Sequence, residues 1–184
     1  MYGGFIIPSA PDLGAVSQSR LLGVELTYGR TTFSRVAYKR CNCFARVGAY
    51  VNYVAFGNAA ELGRAYGAGG YFEPLIGYRQ PLYFSLRATA GLAYLTRVYN
   101  AGTNPRNTFF GVPFSGLLAL SVSAHYWLTN RLHLSATASY NHISNWGTRQ
   151  PNRGMNFPTA GMGIKRTWPT RRLCLMGISG LSPP

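Results

Sequence analysis

The chain has 184 residues, 47% of them hydrophobic and 14% aromatic, with 22 glycines and 18 Lys and Arg set against 4 acids, for a formal net charge of +14. That length suits one domain with a real core and is short for two, while abundant Tyr, Phe, Gly, Ser and Thr exclude a disordered chain and favour an all-β one. No stretch approaches the roughly 20 apolar residues that a membrane-spanning helix needs, so any crossing must be made by strands.

The basic excess is almost entirely arginine, Lys39 and Lys165 being the only lysines. Such a balance calls for polyanionic partners. The arginines are scattered through loops and strand ends with no helix or compact motif to carry nucleic-acid recognition. Phosphorylated lipid head groups suit the bidentate fork of arginine and are the anion expected here, not nucleic acid. Cys41, Cys43 and Cys174 form neither a disulfide framework nor a zinc pattern, and we read them as incidental. The opening Met1–Pro8 lacks a basic leader and a long apolar run, which suggests a chain that starts at a mature end or is a fragment.

Alternation of apolar and polar residues recurs along the whole chain, as in strands with one apolar face. After a weak strand near 2–8, Leu22, Val24, Leu26 and Tyr28 alternate with Gly23, Glu25 and Thr27. Val47, Ala49, Val51 and Tyr53 then oppose Arg46, Gly48, Tyr50 and Asn52, and a weaker strand follows near 66–78. The pattern is clearest over 82–94, with Leu82, Phe84, Leu86 and Leu92 on one parity, and over 117–128, with Leu118, Leu120, Val122 and Tyr126. A strand over 132–144 and a weaker one near 156–165 bring the count to eight, about the smallest number that closes a membrane barrel.

The expected fold is therefore an all-β, eight-stranded antiparallel transmembrane β-barrel of outer-membrane type, one domain over 1–167, followed by an irregular tail over 168–184. In such a barrel the apolar parity faces lipid and the polar parity fills the lumen. The polar parity is rich in Gly, Ser and Thr and carries Glu25, Glu73, Arg46 and Arg87, two acids and two bases able to pair inside. A soluble lipid-binding barrel would need the opposite, apolar parity inward. Short turns are expected at 79–81 and 129–130, and longer loops near 9–19, 54–65, 98–112 and 145–155; the link at 31–44 should be short and is not. His125 and His133 fall on the lumen parity, as interior hydrogen-bonding residues. Trp127, Trp146 and Trp168 lie near strand ends, as in an interfacial aromatic girdle.

One stretch departs from this bland alternation. His142 and Ser144 share the apolar parity of the 132–144 strand with Tyr140, Ala138 and Ala136, and sit beside the last outer loop. Side chains at i and i+2 start roughly 6–7 Å apart on a strand, so rotamers can bring an imidazole to a hydroxyl and let it act as base for a weak nucleophile. Asn156 has the same parity as Pro158, Ala160 and Met162 on the following strand, and could orient the imidazole. A lipid-facing base and nucleophile make sense if the substrate is itself a lipid.

The run from His142 to Asn156, with Ser144, Asn145, Gly147, Pro151, Asn152 and Gly154, resembles the lipid A 3-O-deacylases of the PagL type, within the acyloxyacyl hydrolases. Their pattern is His-x-Ser-Asn-x-Gly followed by Pro-Asn-x-Gly-x-acid, met here at every position but the last. A looser likeness over 44–142 includes the loop Phe56–Gly63, which looks like relatives from Bacteroidetes-type bacteria. The resemblance implies an outer-membrane barrel that hydrolyses an ester-linked acyl chain of lipid A, the membrane anchor of lipopolysaccharide, at its 3-O position. It implies His142 as general base, Ser144 as nucleophile and Asn156 in the place of the triad acid. Asn152, with backbone N–H groups near Asn145 and Gly147, would serve the oxyanion, and no metal or cofactor would be needed. Arg149 and Arg153 would meet the lipid phosphates, and formation of a homodimer stays open. Asn156 leaves three alternatives: reduced activity, charge supplied by another acid, or an inactive barrel with a structural or adhesive role.

Overall fold

The computed structural model describes residues 1–9, 13–32 and 43–168. Eight strands close into a barrel in chain order: β1 (Tyr2–Phe5), β2 (Arg20–Thr32), β3 (Cys43–Ala55), β4 (Arg64–Ile76), β5 (Leu82–Leu95), β6 (Phe114–Thr129), β7 (Leu132–Ser144) and β8 (Met155–Arg166). Each pairs antiparallel with the next, and β1 closes on β8 through Tyr2↔Gly161, Gly3↔Ala160 and Gly4↔Thr159. The one described helix, α1 (Gly14–Ser17), is a single turn in the β1–β2 link. Beyond its four residues β1 is continued only by a bridge from Ile7 to Asn156. Pro158 falls between the Gly4↔Thr159 pair and the Ile7–Asn156 bridge, where the β1–β8 ladder is interrupted, in keeping with a residue that has no N–H to donate.

Exposure follows the expected parity with the apolar side out. Leu26, Leu120 and Ile164 are 74%, 54% and 70% exposed, while Ser121, Ser123 and His125 on the other parity are at most 4% exposed. A water-soluble barrel would invert this, because apolar area costs about 25 cal/mol per Å² to leave in water. An outward apolar band with a polar interior is the arrangement of a barrel whose solvent is lipid.

The lumen is filled, not open. Arg46 Nη1 meets Glu73 Oε2 at 2.9 Å across a registered β3–β4 pair, and Arg87 Nη2 meets Glu25 Oε1 at 2.8 Å, so the two expected acid–base pairs do form inside. Glu73, 1% exposed, also accepts from Ser85 Oγ at 2.8 Å and Lys165 Nζ at 3.1 Å. The polar middle layer leaves a cavity of about 130 Å³. Apolar clusters close both ends. Phe44, Leu75 and Tyr83, with Tyr78 and Trp127, pack at the short-turn end. Phe56, Phe109, Phe110, Ile143, Met155 and Phe157 pack under the loops at the other. Trp127 corrects an expectation: it lies against Tyr78, Tyr83 and His133 inside the barrel end, not in a lipid-facing girdle. The wall supplies no lipid contact there because Trp127 shares the lumen parity of His125.

The turns at 77–81 and 130–131 are short, and the links at 6–19, 56–63, 96–113 and 145–154 gather at the opposite end. The long link at 33–42 lies outside the described residues, except that Cys43 already belongs to β3; Cys41, Cys174 and the tail from 169 onward lie outside them too.

Candidate active site

β7 and β8 bring the site together by register. His142 pairs with Asn156, so both side chains leave the sheet on its outer, lipid-facing side. The imidazole Nδ1 and Asn156 Oδ1 are 2.7 Å apart. Because an amide oxygen can only accept, Nδ1 is the donor in this bond, and in the neutral ring Nε2 then carries the lone pair. The Ile7 N–H donates to the Asn156 carbonyl at 2.9 Å and fixes the backbone of that residue against the short first strand.

Ser144, the last residue of β7, pairs with Gly116 of β6. Its hydroxyl lies 3.4 Å from Asn152 Oδ1 and accepts from Asn152 Nδ2 at 3.2 Å. It also accepts from the Trp146 backbone N–H at 3.2 Å. The bonds of Ser144 thus run to the 145–154 loop and not to His142.

The loop is built around Asn145, which is 1% exposed. Its Oδ1 accepts from Gly147 N at 3.0 Å and its Nδ2 donates to Arg149 O at 2.8 Å, a turn of the type that short amide side chains nucleate. The Asn145 N–H donates to Asn152 Oδ1 at 3.2 Å. Two of the donors assigned to an oxyanion by sequence, the N–H groups of Asn145 and Gly147, are therefore spent within the loop. The donors that converge on Ser144 Oγ are Asn152 Nδ2 and the N–H of Trp146.

Trp146 was not singled out by sequence as part of the site. Its φ of 54° lies in the left-handed region, where a non-glycine residue is strained by roughly 1–2 kcal/mol. That turn carries its indole back over Gly116, where a Cβ would overlap the ring. The available signal was Gly116 itself, a glycine on the apolar parity between Phe114 and Leu118.

A second element also escaped the sequence reading. The β5–β6 loop grips the site loop through Arg153 N–H to Thr108 O and Gly154 N–H to Phe109 O, both 3.3 Å. Asn107, fully buried, holds that loop in turn by donating to Glu61 O at 2.8 Å and Arg97 O at 3.1 Å. Gly154, at φ 63°, stands so close to the imidazole that a Cβ would lie 3.0 Å from His142 Cε1.

Each described acid is engaged elsewhere: Glu25 with Arg87, Glu61 with Arg106 and Asn58, Glu73 with Arg46 and Lys165. Asp12 lies outside the described residues. Among the described residues, Asn156 is thus the group that holds the Nδ1 of His142.

Neither the curated proteins nor the solved structures provide a match to this chain. The family model described as lipid A 3-O-deacylase (PagL) matches residues 22–165, from β2 into β8 and through the whole of the site loop. With an eight-stranded barrel, an apolar outer face and the matched span covering most of the chain, the protein belongs to the lipid A 3-O-deacylase (PagL) family.

Proposed function

We propose that the protein is an outer-membrane esterase that removes the ester-linked acyl chain at the 3-O position of lipid A through an acyl-enzyme on Ser144. The observation that carries this reading is the 2.7 Å bond between His142 and Asn156 on the lipid-facing wall, two residues from Ser144. In this reaction Ser144 Oγ attacks the ester carbonyl while His142 Nε2 takes its proton. Asn152 Nδ2 and the Trp146 N–H, which donate to the Ser144 hydroxyl in the resting site, would turn to the carbonyl oxygen as it gains negative charge. His142 then returns the proton to the departing sugar oxygen, and water, deprotonated by the same imidazole, releases the fatty acid from Ser144. The chemistry needs no metal or cofactor. Exposed Arg149 and Arg153, in the loop that carries Asn152, supply cations at the level of the lipid phosphates.

The second reading, a non-catalytic barrel, is favoured by a specific observation: an amide stands at 156, where the family pattern has an acid, and an amide cannot stabilise imidazolium by charge. An alkyl fluorophosphonate separates the two. Activated Ser144 displaces fluoride and acquires a phosphonyl adduct that peptide mass spectrometry locates, and His142→Ala abolishes it. A wild-type Ser144 that stays unlabelled overturns the enzymatic reading.

A further inference from the structure

The geometry points to the indole of Trp146 as the residue that decides which acyl esters reach Ser144: it admits a single unbranched chain and rejects esters whose acyl group carries a second chain near the carbonyl. This rests on Ser144 being the nucleophile.

Ser144 is flanked on one side by β6 and on the other by the start of β8. On the β8 side stand Asn152, bonded to the hydroxyl, and Gly154 against the His142 ring. On the β6 side the register partner is Gly116, whose missing side chain would leave an open slot beside the nucleophile. Trp146 fills that slot. Its left-handed backbone turns the ring onto Gly116, at the place a residue 116 side chain would claim. The same turn delivers the Trp146 N–H to Ser144 Oγ, so the position of the ring is tied to the position of the nucleophile.

Trp146 is 68% exposed, and the strand beside it presents Phe114 and Leu118 outward, 67% and 48% exposed. Without the indole the slot over Gly116 would be open. An ester carbonyl placed at Ser144 therefore finds both lateral sides taken, and its chain has one course, along the wall toward the bilayer centre. An acyl group esterified at its β-hydroxyl with a second fatty acid would need a second course only two carbons from the carbonyl. The slot over Gly116 is where that second chain would lie.

The test compares p-nitrophenyl β-hydroxymyristate with p-nitrophenyl β-myristoyloxymyristate in detergent micelles, for wild type, Trp146→Ala, Gly116→Ala and Ser144→Ala. The kcat/KM for the unbranched ester should exceed that for the branched one by roughly tenfold or more in wild type, the size of discrimination a shaped apolar site achieves. Trp146→Ala should bring the ratio within about threefold by gaining on the branched ester, and Gly116→Ala, which evicts the ring without removing it, should shift the ratio in the same direction. Turnover that depends on Ser144 but shows the wild-type ratio in both variants overturns the inference and leaves the nucleophile standing. So does a wild type that turns over both esters alike, or loss of all turnover in both variants, which would make the indole a support of the site and not its filter. Absence of wild-type turnover on either ester, or turnover that survives Ser144→Ala, overturns the nucleophile and the inference together.

Discussion

Replacing Asn156 probes the step on which the chemistry depends, because its Oδ1 is the acceptor that keeps the His142 proton on Nδ1. In Asn156→Leu, a change of similar shape, the imidazole loses that acceptor and its proton is free to sit on Nε2, the nitrogen that would have to act as the base. A hydrogen bond of this kind contributes about 1–3 kcal/mol when it is strengthened in a charged transition state, so the loss should lower kcat by roughly 5- to 150-fold. Asn156→Glu replaces a neutral acceptor with an ionised one, and charge-assisted bonds are about twice as strong as neutral ones. The gain reaches at most about 2 kcal/mol, which sets activity between unchanged and roughly 30-fold higher. Release of hydroxy fatty acid from lipid A, quantified by gas chromatography against time, reads both variants, with far-UV circular dichroism to check that the barrel is intact. A wild-type rate in Asn156→Leu, or a loss in a folded Asn156→Glu, would refute the reasoning: the first because no oriented imidazole is needed, the second because the amide itself is.

Three further outcomes follow from the fold. Glu73→Leu leaves Arg46 and Lys165 without their buried carboxylate and should destabilise the barrel by about 3–5 kcal/mol in urea unfolding from lipid vesicles, whereas an unchanged midpoint would mean the lumen network is solvated. Val122→Arg, on the outward face in the middle of β6, should cost about 2–4 kcal/mol in the same assay and nothing measurable if that face met water. Gly147→Ala and Gly154→Ala both force an L side chain into a left-handed backbone, at roughly 1–2 kcal/mol each. Only the second crowds His142, so comparable stability losses should accompany a kcat deficit of about tenfold or more in Gly154→Ala alone; equal rates would remove His142 from the reaction.

The barrel was legible because lipid makes the period-two pattern unambiguous: away from the strand ends and the site itself, outward residues from Leu22 to Ile164 are apolar or small, and the acids and bases at 25, 46, 73 and 87 had nowhere to go but inward. The bounds of β7, 132–144, coincide with those read from alternation, and the same parity argument set His142 and Asn156 on one face before their register was known. What parity cannot carry is contact between segments distant in sequence. Lys165 reaches Glu73 across 92 residues, and Asn107 steadies the site loop through Glu61, 46 residues away. The loop hydrogen bonds were equally hidden. The family resemblance implies oxyanion donors near Asn145 and Gly147, but an amide side chain next to a glycine turns on its own backbone first. A tryptophan at a strand end reads as a girdle residue, and Trp146 is exposed at one; what the pattern does not show is the positive φ and the ring folded back over Gly116.

The central claim, that Ser144 on the lipid-facing wall cleaves an acyl ester of lipid A, is tested most directly by mass spectrometry of lipid A. The lipid is extracted after incubation with the wild-type barrel and with Ser144→Ala, both refolded in the same vesicles. The wild type should yield a species lighter by one hydroxyacyl chain, lost from the 3-O position, and Ser144→Ala should leave the lipid intact. Lipid A that keeps every acyl chain with both proteins, or loses the same chain with both, contradicts the account.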